Sequence, residues 1–190
     1  MQLVNVLRNS FLAASIPVSH AGTASTSATK DSTILRSTVS CPRCPENNCY
    51  KCTLGRETTL QAKTGGLSYV RMLIGFQLPV EASRITRCIV QLAECAEPLY
   101  FPVNVTVAPA TSSAWDEVTV TAENAPDSGV PFTSVAVQSH ANVGPIDVTQ
   151  ACKQADGGGR FSIYVGTQSG LIEIWSADAG HPALLQIGHT

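Results

Sequence analysis

Charge is scarce in this chain. Charged side chains make up 14% of its 190 residues, against about 25% in an ordinary soluble domain. The formal net charge is -2, so no basic field exists to recruit nucleic acid or an anionic membrane. Long apolar runs are missing as well. No later segment approaches the roughly 18 uninterrupted apolar residues of a spanning helix, and Leu184 to Thr190 does not read as an anchor tail.

Signatures of catalysis are absent too. There is no Gly-x-Ser-x-Gly elbow; in Gly166-Thr167-Gln168-Ser169-Gly170 the serine stands one place late. Gly157-Gly158-Gly159 lacks the Lys-Ser/Thr of a phosphate loop. His20, His140, His181 and His189 have no metal-pair spacing. Asp116 and Glu117 are adjacent on an expected strand, so their carboxylates point to opposite faces and cannot share one scissile bond. The expectation is a protein that is not an enzyme.

What the chain does have is cysteine in one place. Four of its seven cysteines, Cys41, Cys44, Cys49 and Cys52, share one short stretch. Zinc sites built from two C-x2-C pairs usually place a dozen or more residues between them, and here only Pro45 to Asn48 intervene. The N-terminus arbitrates between metal and oxidation. Arg8 precedes a modest apolar stretch from Phe11 to Val18, and Ser19-His20-Ala21 resembles a cleavage site, so residues 1–21 read as a secretory signal peptide. Secretion makes disulfides the default use of cysteine. The expected pairs are Cys41 with Cys52 and Cys44 with Cys49, the nested arrangement of a hairpin, and Cys95 with Cys152; other pairings within the cluster stay open. Cys88 alternates with inward-facing Val90 and Leu92 and is expected as a buried free thiol. Asn104-Val105-Thr106 is a glycosylation sequon at Asn104.

Hydrophobic periodicity is that of strands. Residues 22–30 form a small polar run, read as a flexible lead-in. Beyond it Val70, Met72, Ile74, Phe76 and Leu78 share one face of a strand whose other face carries Tyr69, Arg71 and Gln77. Further strands are expected at Arg87 to Leu92, Tyr100 to Val107, Glu117 to Thr121, Phe161 to Val165, Ile172 to Trp175 and Leu184 to Ile187. Gly65-Gly66, Pro79, Asn124 to Gly129 and Asp156 to Gly159 separate them. One helical turn is expected from Val148 to Gln154, with Asp147 as its cap. The pattern predicts one all-β domain over residues 31–190, a jelly-roll-type β-sandwich of two antiparallel sheets and about nine strands.

Several phrases fall in a telling order: Asp31-Ser-Thr-Ile34, Asn47-Asn48 leading to Gly55 and Thr59-Leu60, Ser68 to Phe76, Ile85 to Val90, Trp115 to Pro126, Ile146 to Thr149, and Ser176 to Leu184. Together they resemble the extracellular DNRLRE domains, also classed as carbohydrate-binding module family 96, across residues 31–188. The cysteine cluster, and Ala177-Asp178 in place of Lys-Glu, depart from that pattern. The resemblance implies a secreted noncatalytic module that attaches to polysaccharide in a cell wall or extracellular matrix, acidic polymers such as alginate being among the family's targets. A structural or adhesive protein that self-associates through the sandwich is the second reading, and a polysaccharide lyase or hydrolase the third.

Sugar recognition needs an aromatic platform with fixed polar or basic groups. Tyr69 and Arg71 on the outward face of the long strand, with Lys63 near them, are the candidate carbohydrate-binding residues; cross-strand pairing is their competing use. Trp115 and Trp175 are expected in the core. No cofactor is required. A structural calcium is the candidate ion, and Asp31, Asn48 and Asp147 are the oxygen donors that the resemblance would bring together.

Overall fold

A computed structural model describes residues 21–190. The signal-peptide reading falls, except for Ala21, outside the described residues. The strands are β1 (Gly22–Ser27), β2 (Lys30–Leu35), β3 (Thr59–Lys63), β4 (Val70–Gln77), β5 (Ile85–Gln91), β6 (Val103–Pro109), β7 (Thr133–Val137), β8 (Ile146–Asp147), β9 (Arg160–Thr167), β10 (Leu171–Trp175) and β11 (Leu184–His189). A one-turn helix, α1 (Thr149–Lys153), links β8 to β9.

The all-β sandwich is confirmed, with three antiparallel sheets where two were expected and eleven strands among the described residues where about nine were. One sheet runs β2-β4-β9-β6-β7, a second β1-β11-β5-β8, and a two-stranded ladder joins β3 to β10. The small ladder is tied to both larger sheets. The Gln61 N–H donates to Thr33 Oγ1 on β2, and Cys95, just beyond β5, bridges to Ile174.

Residues 22–30 are not a flexible lead-in. Gly22 to Ser27 pair residue by residue with His189 to Leu184, because β11 would otherwise present an unpaired edge. Short Thr and Ser side chains suit a strand that is only half covered. The expected strand at Glu117 to Thr121 does not form either. The Asp116 carboxylate accepts from the Val118 and Thr119 N–H groups, and the Val120 N–H donates to the Asp116 carbonyl. A short polar side chain has diverted the backbone into a turn.

The long strand behaves as expected on one face. Met72, Ile74 and Phe76 enter the main core with Leu60, Ala62, Val90, Val105, Val165, Ile172, Ile174, Leu185 and Ile187. Phe76 stacks on Phe161 of β9 at 5.2 Å. Each such fully buried aliphatic or aromatic side chain contributes about 1.5–3 kcal/mol, so this layer dominates the stability of the fold.

The other face is not solvent. The segment between β6 and β7 folds over it and makes a second core of Ile34, Leu73, Trp115, Val120 and Tyr164. Trp115 Nε1 donates to Ser162 Oγ at 3.0 Å, Tyr164 Oη donates to the Pro126 carbonyl, and Lys30 Nζ lies 4.2 Å from the Trp115 ring centre. Trp115 is a core residue, as its sequence context suggested.

The disulfides differ from expectation. Cys41 pairs with Cys49 and Cys44 with Cys52, an interleaved rather than nested arrangement. The segment is not a hairpin. It forms two 3-10 turns, Pro45–Asn47 and Cys49–Lys51, and the Cys41 N–H donates to the Asn47 carbonyl at 2.9 Å, which sets Cys41 beside Cys49. The third bridge is Cys88–Cys152, leaving Cys95 free. Two hydrogen bonds dictate this pairing. The Cys88 N–H donates to Thr149 Oγ1 and the Val148 N–H to the Cys88 carbonyl, so α1 is clamped under β5 with Cys152 facing Cys88.

Candidate functional site

The outer face of the β3–β10 ladder is the surface best equipped for a ligand. Leu171 lies opposite Lys63, Glu173 opposite Gln61, and Trp175 opposite Thr59. Directly paired residues of an antiparallel ladder share a face. Leu60, Ala62, Ile172 and Ile174 take the inner face, so the polar and aromatic residues between them point outward. The row is internally braced: Thr59 Oγ1 and Gln61 Nε2 both donate to Glu173 Oε1, the latter at 3.1 Å. Trp175, half-buried, has the His181 ring 6.0 Å away.

Two grooves flank this row. On the β10 side a groove of about 340 Å³ is walled by Tyr100, Phe101, Leu171 and Glu173. Tyr100 is 71% exposed and Phe101 79%, while every other Phe, Tyr or Trp ring among the described residues is buried or half-buried. They stand out because Pro98 and Pro102 keep the segment before Val103 from joining β6. On the β3 side a groove of about 250 Å³ is lined by Thr33, Glu57, Gln61 and Lys63, with Arg43 projecting from the cysteine-tied loop. Aromatic rings thus sit at one side and cationic groups at the other.

Of the expected sugar-binding residues, Lys63 is on this face and Arg71 is not. Arg71 is 2% exposed. Its guanidinium lies 3.7 Å from the Tyr164 ring centre, and Nη1 donates to the Leu67 carbonyl at 2.9 Å. Arg71 braces the second core because the β6–β7 connection covers the face that alternation alone assigned to solvent. Tyr69 is half-buried, its hydroxyl 3.3 Å from Ser37 Oγ. Asn104 is exposed on β6 opposite Ala136, so its side chain is open to modification.

The expected oxygen donors do not converge. Asn48 Oδ1 accepts from the Tyr50 N–H, and Asp147 Oδ1 accepts from the Thr149 N–H at the start of α1; hydrogen bonding from the Thr149 side chain, and then from its N–H, holds the Asp147 carboxyl below its ordinary range. Asn48 caps the 3-10 turn Cys49–Lys51, and Asp147 holds the first residue of α1 from one place ahead of its cap, Val148. Asp31 instead meets two acids from distant segments. One oxygen each of Asp31, Glu117 and Asp178 lies within 4.8 Å of the others. The Asp31 N–H donates to Glu117 Oε1 at 2.7 Å, and Asp31 Oδ2 accepts from the Ala177 N–H at 2.9 Å. Burial pushes the Asp31 carboxyl up to about 6 against that last bond, and the charges of Glu117 and Asp178 add to the rise.

Trp175, expected in the core, is instead half-buried on the outer face, and Leu171, Tyr100 and Phe101 escaped the sequence reading, though signals for them existed. Inward Ile172 and Ile174 place Trp175 outside by alternation, and two prolines around Leu99-Tyr100-Phe101 argue against a strand.

The model of carbohydrate-binding module family 96 matches residues 48–187. An uncharacterized secreted protein of Arthroderma benhamiae is 56% identical over 158 residues, covering 83% of this chain and 81% of that protein. The chain belongs to carbohydrate-binding module family 96.

Proposed function

We propose that this family 96 module is a secreted, noncatalytic binder that holds a polysaccharide across the outer face of β3 and β10. The observation that carries the reading is the exposed pair Tyr100 and Phe101, joined through Leu171 and Glu173 to the braced polar row of β3. Aromatic faces supply apolar contact with little loss of conformational freedom, and fixed carboxylate and amide groups orient hydroxyls. The ladder runs across the path from one groove to the other, with strands spaced about 4.8 Å apart, so an extended polymer can touch both grooves. Arg43 and Lys63 are suited to carboxylates of an acidic glycan, and Glu97 and Glu173 to neutral hydroxyls.

The test is retention of the purified chain on an array of neutral and acidic glycans. Binding that is lost with Tyr100→Ala and Phe101→Ala together supports the site. Retention unchanged in that variant refutes it. No retention on any glycan, with concentration-dependent assembly, supports the self-association reading instead. Sugar release from a bound polymer would overturn the noncatalytic part.

A further inference from the structure

We propose that Asp31, Glu117 and Asp178 form a calcium site that locks the Trp175 end of the β3–β10 ladder. The three carboxylates come from β2, from the turn after Trp115 and from the turn after β10, segments far apart in sequence. Bringing like charges this close is unfavourable without a counter-charge. Lys30 acts on Glu117 only through its field, and among the described residues the basic side chain paired with the cluster is Arg56, whose Nη1 lies 3.3 Å from Asp178 Oδ1 and 3.8 Å from Glu117 Oε2. It touches neither oxygen of Asp31. Three carboxylates and one guanidinium leave a local deficit that a divalent cation neutralises.

The independent observation is Asp31 itself. The residue is 2% exposed, and its Oδ1 is buried with no hydrogen-bond partner, although Oδ2 accepts from Ala177. An acceptor withheld from both water and protein is costly unless something else satisfies it. Calcium bonds oxygen at about 2.3–2.6 Å, so two of its ligands stand at most about 4.6–5.2 Å apart. The three oxygens all lie within 4.8 Å of one another, inside the span that ligands of one such ion can cover. Three hard oxygen donors of mixed exposure, without sulfur or imidazole, suit calcium rather than zinc.

The location gives the ion a task. The Ser176 N–H donates to the Thr58 carbonyl and Ser176 Oγ to the Glu57 carbonyl, so the cluster sits where β3 begins and β10 ends. Gly55 packs against the Glu117 backbone, where a Cβ would collide with the Glu117 carbonyl, which draws the Arg56 loop onto the same corner. A bound ion would join the turn after Trp115 to the ladder that carries Trp175. Its effect on glycan affinity rests on the function proposed above; its existence does not.

The experiment uses the full mature chain, stripped with chelator and titrated with calcium chloride, with calorimetric heat and thermal midpoint as readouts and no glycan present. At tenfold excess over Kd the midpoint should rise by about 3–6 °C. Asp178→Asn, at an exposed position that spares the fold, should weaken calcium binding at least tenfold, and Asp31→Asn should abolish the rise. Arg56→Gln should tighten binding, since a competing cation is removed. No heat and no midpoint shift in the wild-type chain at millimolar calcium overturns the proposal. So does a response that survives in Asp178→Asn and Asp31→Asn. A normal calcium response in a chain that retains no glycan upholds the ion site and refutes the sugar reading alone.

Discussion

Removing the Cys88–Cys152 bridge tests the central correction to the disulfide pattern. The bridge closes a loop with a sequence separation of 64, and loop-closure entropy for that length corresponds to about 4 kcal/mol. Each cluster bridge spans a separation of 8, for which the same relation gives about 2.5 kcal/mol. The double variant Cys88→Ala with Cys152→Ala should therefore lower the unfolding free energy by about 4 kcal/mol, and the midpoint by about 8–16 °C for a chain of this size. Both sulfurs are fully buried, and the change in side-chain volume adds to the loss rather than opposing it. Cys95→Ser, at a half-buried position outside any bridge, should cost less than about 1 kcal/mol. Urea unfolding of the three proteins, with peptide mapping under nonreducing conditions, reads both magnitudes. An equal loss in Cys95→Ser, or a mapped Cys95–Cys152 peptide, would refute the reasoning that α1 clamps Cys152 under β5.

Other outcomes follow from the site and its surroundings. Trp175→Ala should reduce glycan affinity by about tenfold, the equivalent of about 1.4 kcal/mol, measured by calorimetry on whichever array ligand is retained; an unchanged Kd would place the ligand elsewhere. Arg71→Met should leave glycan binding untouched while costing about 1–3 kcal/mol in urea unfolding, because the Leu67 carbonyl loses its buried donor. Asp147→Ala should destabilise the chain by about 1 kcal/mol through the lost bond to Thr149. It should not alter the midpoint shift with calcium, which a ligand role for Asp147 would require.

Much of the fold was legible in the sequence. The alternation from Val70 to Phe76 defined β4 and its core face, and the Thr64-Gly65-Gly66 break falls where turn chemistry put it, whereas the cap of α1 is Val148, one place beyond the expected Asp147. The candidate site was less so. Lys63, expected beside Tyr69 and Arg71, lies on the outer row of the β3–β10 ladder, and Arg71 was assigned to solvent because alternation distinguishes two faces without saying what covers each. The β6–β7 connection covers that second face, and nothing local to Arg71 reports it. Tyr100 and Phe101 were absorbed into a strand on their β-propensity, which the flanking prolines override.

Sequence by itself determined the class of the molecule: a β chain of low charge, with cysteines spaced for oxidation and apolar residues at period two. Those properties depend on neighbours along the chain, where backbone geometry and side-chain direction are set. Only the tertiary structure decided which cysteine meets Cys152, which acids surround Asp31, and which aromatic rings stand exposed. Each is a meeting of segments tens of residues apart, selected by packing and hydrogen bonds that local periodicity does not encode.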